Sequence, residues 1–110
     1  MEWEEFLRKY SKRVREVCSA EDLTLDEVLF CRKMEHLVEF EEDPVMYRPA
    51  IKGMLRVLRD PLERKRFTRF TDLLLDMVSD YVEAVRGILH PFMYEDIEKE
   101  IRKIKEELKP

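Results

Sequence analysis

Apolar side chains recur at spacings of three and four residues through almost the whole chain, and little interrupts them. Trp3, Phe6, Leu7, Tyr10, Val14, Val17 and Cys18 form one such stripe, and Phe70, Leu73, Leu74, Met77, Val78, Tyr81, Ala84, Val85 and Ile88 form another. A period near 3.6 residues places each set on one face of an α-helix. Strands would need turns at short intervals, and a chain of 110 residues with two Gly and five Pro has few to offer. The fold class read from this pattern is all-α.

Start and stop signals divide the chain into helices. Thr24 followed by Glu27 is a capping box and opens a helix over 25–42. Asp43-Pro44 breaks that pattern, and Pro49 keeps residues 44–48 to a loop or single turn. In Asp60-Pro61-Leu62-Glu63 the Asp caps, the Pro takes the first helical position and the Glu closes the box. Nothing then breaks the helix before Arg86, which makes it roughly 39 Å long. Gly87 is placed to stop it in a left-handed cap. The expected architecture is a single-domain helical bundle, residues 1–110, of about five helices (2–18, 25–42, 49–59, 61–86 and 91–108) centred on 61–86. Trp3, Phe6, Tyr10, Met34, Val38, Phe70, Leu74, Met77 and Tyr81 are its expected core.

Composition narrows the setting. The chain has no Asn and no Gln, while 42% of it is charged, with 25 Asp or Glu and 21 Lys or Arg. Amides deamidate in heat, and charged residues replace them in proteins of hyperthermophiles, so a hot habitat is expected. A hydrophobic fraction of 45% argues against disorder. No apolar run reaches the roughly 18 residues that a membrane span needs, and the start, Met1-Glu2-Trp3-Glu4-Glu5, is too acidic for a signal peptide. A cytoplasmic location without a membrane partner is expected. Net charge is −4, which makes no global electrostatic case for nucleic acid or anionic lipid.

Cys18 and Cys31 are the only cysteines. In a tight hairpin of the first two helices, Cys18 lies level with residue 26, and Cys31 is then about 7 Å further along the axis. That offset disfavours a disulfide and leaves two small buried apolar residues as the expectation.

Three surfaces could carry function. The first is basic: Arg56, Arg59, Arg64, Lys65, Arg66 and Arg69, diluted by Asp60 and Glu63, leave +4 over residues 56–69. Such a segment can contact nucleic-acid phosphates. Its Phe67 and Phe70 project to the same side as Leu74 and Tyr81, so they read as core and not as base-stacking residues. The second is an acidic row, Asp72, Asp76, Asp80 and Glu83, on one face of the helix over 61–86. Helical carboxylates can hold Mg2+ or Mn2+, with Asp72, Asp76 and Asp80 the candidate ligands. Glu39 and Glu42 share the ExxE spacing of the all-α nucleotide pyrophosphatases, but no ExxD follows and Asp80–Glu83 reverses the residue types. His36 and His90 lack an acid–base partner nearby in sequence, and no cofactor is implied.

The third surface is self-association. Lys65 and Arg69 lie near the start of the helix over 61–86 and the acidic row towards its end, which opposes the helix dipole. A second copy running antiparallel, or another helix of the same chain, would compensate. Ile97, Ile101, Ile104 and Leu108 form a narrow seam on the last helix, like coiled-coil a and d positions, and are the favoured interface. The leading expectation is a non-enzymatic interaction or assembly protein, working as a homodimer or as a small subunit of a complex. A nucleic-acid-binding subunit using 56–69 and a metal-dependent nucleotide phosphohydrolase are the alternatives.

Overall fold

The computed structural model describes residues 1–109. Six α-helices follow one another: α1 (Trp3–Cys18), α2 (Leu25–Phe40), α3 (Arg48–Arg59), α4 (Pro61–Arg66), α5 (Thr71–Val85) and α6 (Glu95–Glu107). Short 3₁₀ turns at Thr68–Phe70 and Pro91–Met93 precede α5 and α6. No strand occurs among the described residues, and the chain is an all-α helical bundle. Its radius of gyration of 13.6 Å is close to the ~13 Å of a single packed domain of this length.

The caps act as their chemistry dictates. Thr24 Oγ1 accepts from the Glu27 amide at 3.1 Å, and the Thr24 amide donates to Glu27 Oε1 at 2.8 Å. Asp60 Oδ1 accepts from the Leu62 amide at 2.9 Å. Glu63 does not return to close that box and meets Arg66 instead.

The single helix expected over 61–86 is two helices. The Thr68 hydroxyl donates to the carbonyls of Lys65 (2.7 Å) and Arg64 (3.2 Å), taking acceptors that a continuing helix would use. Phe67, at φ −114° and ψ 34°, leaves helical geometry there. The break puts Arg64, Lys65 and Arg66 in the last turn of α4 and Asp72 in the first turn of α5. Both placements agree with the helix dipole. Gly87 does not form a left-handed cap either, since no glycine has positive φ.

Packing centres on α5, which touches α1, α3 and α6. Every expected core residue is buried except Val38, which is half-buried against the core. An aromatic cluster joins the N-terminal helix to the rest: Trp3 stacks on Phe6 at 4.9 Å and meets Tyr47 edge-on at 5.1 Å and Tyr81 at 6.0 Å. Tyr47, in the 43–47 turn, is fully buried and was no part of the expected core. That turn is pinned at both sides. The Trp3 indole donates to the Glu42 carbonyl (2.7 Å) and the Tyr81 hydroxyl donates to the Pro44 carbonyl (2.7 Å).

Cys18 and Cys31 form a disulfide, with Cα atoms 5.7 Å apart, contrary to the hairpin expectation. The expectation assumed that α2 begins level with the end of α1. Instead α2 overhangs α1 by about six residues, or ~9 Å. The overhang is held by the middle of the chain. Phe30 packs on Phe67 (5.0 Å) and Phe70 (4.9 Å), Arg66 pairs with Asp26 (2.8 Å), and Arg69 reaches Asp22 (2.8 Å) and Glu27 (3.1 Å). These contacts shift the register enough to bring the two sulfurs together.

Candidate interaction groove

α2 carries more apolar surface than one neighbour can cover. Cys31 is buried and bonded to Cys18 of α1, while Phe30, Met34, Leu37 and Phe40 form a second apolar stripe on the same helix. A helix that is apolar on more than one face is normally enclosed. Here the second face borders an open groove of ≈ 610 Å³ between α2 and the α3–α4 segment.

The walls follow from helical spacing. Phe30, Met34, Leu37 and Phe40 supply the α2 side. Ala50, Gly53, Met54 and Val57, at positions i, i+3, i+4 and i+7, supply the α3 side. Phe67, displaced by the break after α4, closes one end against Phe30. The other end opens at Phe40, which is 65% exposed and meets the tilted ring of His36 at 4.8 Å. Leu25 (75% exposed) and Leu29 (47%) extend the apolar edge of α2 beyond the groove.

The polar rim is uneven. Lys33, His36, Glu41 and Glu63 line it. The surface continues over Gly53, Val57 and Glu63 to Arg56 and Arg59. Both carboxylates are engaged: Glu41 accepts from the backbone amides of Glu42 and Asp43 (both 3.2 Å), and Glu63 meets Arg66 at 3.3 Å. Among the described residues, neither Lys33 nor Arg56 has an ion-pair or hydrogen-bond partner. The rim is therefore mixed in charge: Lys33 and Arg56, and equally Glu41 and Asp60, have no ion-pair partner among the described residues.

The basic segment is largely committed within the chain. Arg59 pairs with Glu100 (2.8 Å), and Arg64 donates to the Leu58 carbonyl (2.8 Å). Arg66 and Arg69 clamp the start of α2, and the bond from Arg69 holds the Asp22 carboxyl below the usual range. Of the six cations, only Arg56 and Lys65 lack such a partner among the described residues. Phe67 and Phe70 are buried, as their helical projection required.

The acidic row is drawn into contacts with α1. Asp76 pairs with Arg13 (2.9 Å), and Asp80 with Lys9 (2.7 Å) and the Tyr10 hydroxyl (2.5 Å). Asp72 is exposed on the turn before them. Burial works to raise the Asp80 carboxyl, but the bonds from Lys9 and Tyr10 outweigh it and hold it below the usual carboxylate range. The compensation that the reversed dipole order called for thus comes from α1, antiparallel to α5 in the same chain. Among the described residues, the one grouping of three ligand-type side chains within 4.8 Å is Cys18, Cys31 and Glu35. Its two sulfurs are bonded to each other.

The seam on the last helix is corrected in the same way. Ile97, Ile101 and Ile104 are buried against α3 and α5, and Leu108 is half-buried against the same core, so they are not free to meet a partner. Arg48 and Lys52 of α3 fasten α6 through Asp96 (2.5 and 2.8 Å). No helix among the described residues is long and apolar enough to cross a membrane.

The groove itself was not singled out from the sequence. Two signals could have found it: apolar residues on too many faces of α2, and a glycine in the middle of α3. The chain matches no protein-family model, no curated protein and no solved structure.

Proposed function

We propose that the protein is a non-enzymatic interaction module that takes an apolar helix of a partner into the groove between α2 and α3. The observation that carries this reading is the uncovered second face of α2, where Phe40 is 65% exposed beside a groove of ≈ 610 Å³. Monomeric proteins rarely leave a contiguous apolar surface rimmed by charge unless something docks there. Two rows of side chains, at i, i+4, i+7 and i+10 on α2 and at i, i+3, i+4 and i+7 on α3, suit a third helix, the helix-in-groove mode of recognition. Wide distribution of the charged side chains into ion pairs argues against reserved catalytic groups. The absence of Asn and Gln, with ion pairs linking separate helices, supports a hot habitat for this module.

The test is selection from a displayed library of amphipathic helical peptides. Enrichment of apolar residues at i, i+3, i+4 and i+7 is expected, with binding lost in Phe40→Asp. No enrichment, or binders indifferent to Phe40→Asp, would remove the reading. Light scattering on the purified chain tells whether the occupant is a second copy.

A further inference from the structure

The Cys18–Cys31 pair has a third neighbour. The Glu35 carboxylate lies close enough to both sulfurs that the three donor atoms are within 4.8 Å of one another. None of the three residues lines the groove. We infer that Cys18, Cys31 and Glu35 form a binding site for a thiophilic divalent ion of the Zn2+ class. The site is open when the two sulfurs are reduced and closed when they are bonded to each other.

The donor set suits that ion. Thiolates select soft and borderline metals, and Zn2+ accepts a carboxylate beside them. Bonds of about 2.3 Å to sulfur and 2.0–2.2 Å to oxygen set the donors of a tetrahedral site roughly 3.6–3.8 Å apart. Donors already within 4.8 Å need only small side-chain rotations to reach that spacing. Cys31 and Glu35 stand four residues apart on α2, the spacing that stacks two side chains on one face of a helix. Cys18 is the last residue of α1, where the carbonyl end of the helix favours a cation. Among the described residues the Glu35 carboxylate has no hydrogen bond or ion pair, so it turns to a metal without breaking one. Cys31 is buried, Cys18 half-buried and Glu35 exposed. That gradient gives the ion a path from solvent and leaves its fourth position to water.

The donors stay together when the bond between the sulfurs is opened. Phe30 on Phe67 and Phe70, with Arg66 on Asp26 and Arg69 on Glu27, sets the register of α2 without help from the sulfurs. Reduction therefore leaves two neighbouring thiols beside Glu35. A dithiol reductant opens the bond by exchange: two electrons and two protons pass to the protein sulfurs, and the reductant closes into its own disulfide. The ion then displaces both thiol protons and is held by two thiolates and one carboxylate. A small disulfide reverses the sequence. The two protein sulfurs give up two electrons, bond to each other and release the ion, while the oxidant takes two protons from solvent and leaves as two thiols.

The full chain, reduced with a phosphine in the absence of oxygen, is titrated with Co2+ and Zn2+. One Co2+ per chain is expected, with a thiolate-to-metal charge-transfer band that Zn2+ abolishes by displacement. Zn2+ at roughly 100 times its dissociation constant should raise the melting temperature of the reduced chain by about 12 °C. The oxidised chain and Cys18→Ala/Cys31→Ala should show neither band nor shift. Glu35→Gln is expected to weaken binding by at least about tenfold, the least that loss of an outer-shell partner costs. Equal affinity in Glu35→Gln would strike the carboxylate from the site and overturn the assignment. Half an ion per chain, which means thiolates shared between two copies, would overturn it as well. So would a reduced, folded chain that gives no band, leaving the cysteines a cross-link and nothing more. Should reduction cost the chain its helices, recovery of the circular dichroism signal on adding Zn2+ supports the site, and no recovery overturns it.

Discussion

Breaking the Cys18–Cys31 bond is expected to lower the melting temperature by about 13 °C. The bond joins residues 13 apart in sequence, and a cross-link of that span removes about 10 cal/mol/K of loop entropy from the unfolded chain, or ~3 kcal/mol at 25 °C. Unfolding entropy near the midpoint scales with length and is roughly 0.23 kcal/mol/K for a chain of this size. Their ratio gives the shift. The native geometry changes little on reduction, because Phe30 on Phe67 and Phe70, with Arg66 and Arg69 on Asp26, Asp22 and Glu27, holds α2 in place independently of the sulfurs. The assay is a thermal melt followed by circular dichroism, with and without a phosphine reductant. The double variant Cys18→Ala/Cys31→Ala serves as control and should melt near the reduced protein and ignore the reductant. Equal melting temperatures for oxidised and reduced wild type would refute the reasoning, as would two free thiols in the unreduced, denatured chain.

Further predictions concern single side chains. Gly53→Ala is expected to stabilise the fold by about 0.5–1 kcal/mol, read as a melt raised by about 2–4 °C; a lower melt would show that the site is not open. Asp80→Asn removes a charge held by Lys9 and Tyr10 and should cost about 1.5–3 kcal/mol at neutral pH, measured by urea unfolding. The native Asp80 carboxyl is depressed, so its contribution is complete above the unfolded value of about 4 and fades as pH falls through the native one. The gap between wild type and variant should therefore narrow in acid, and a constant gap would contradict the assignment. At the alkaline end, burial pushes Tyr47 and Tyr81 up to about 12, and burial with the bond to Asp80 raises Tyr10 as well. A raised group stabilises fully below its unfolded pKa and loses that effect as pH rises towards the native value. Stability should thus fall by about 4 kcal/mol per pH unit above roughly pH 10, about 1.4 for each of these tyrosines. Urea unfolding of equal free energy at about pH 9 and pH 11 would rule this out.

Helix content, most boundaries and most of the core were legible because they follow from local spacing and local caps. Thr24 and Asp60 cap where they stand in the sequence, and one face of α5 is buried along its whole length. The break at Phe67 was also written locally, but in the charges and not in the apolar stripe. The order of cations before anions that opposed one long dipole is the order expected of two helices end to end. What could not be read was register between distant elements. The disulfide depends on Phe30 meeting Phe67 and Phe70, some forty residues on, and no spacing within residues 18–31 encodes that contact. The isoleucine seam of α6 shows the same limit. A narrow stripe specifies that a helix is covered, and the covering helices, α3 and α5, come from the same chain. Tyr47 escaped notice because it lies in a turn, where periodicity has nothing to say. The groove escaped because an uncovered face is a property of how helices splay apart.

The aromatic junction between α1 and α5 has a bearing on how the chain assembles. Trp3, Phe6 and Tyr10 are made first, yet their partner Tyr81 and the Asp80 carboxylate that receives the Tyr10 proton donor come some seventy residues later. Segments α3 to α6 touch one another and can condense as they emerge, whereas Trp3 and Phe6 can meet Tyr47 early but reach Tyr81 only once α5 is made. Closure of that long loop carries a larger entropic cost than the local contacts do.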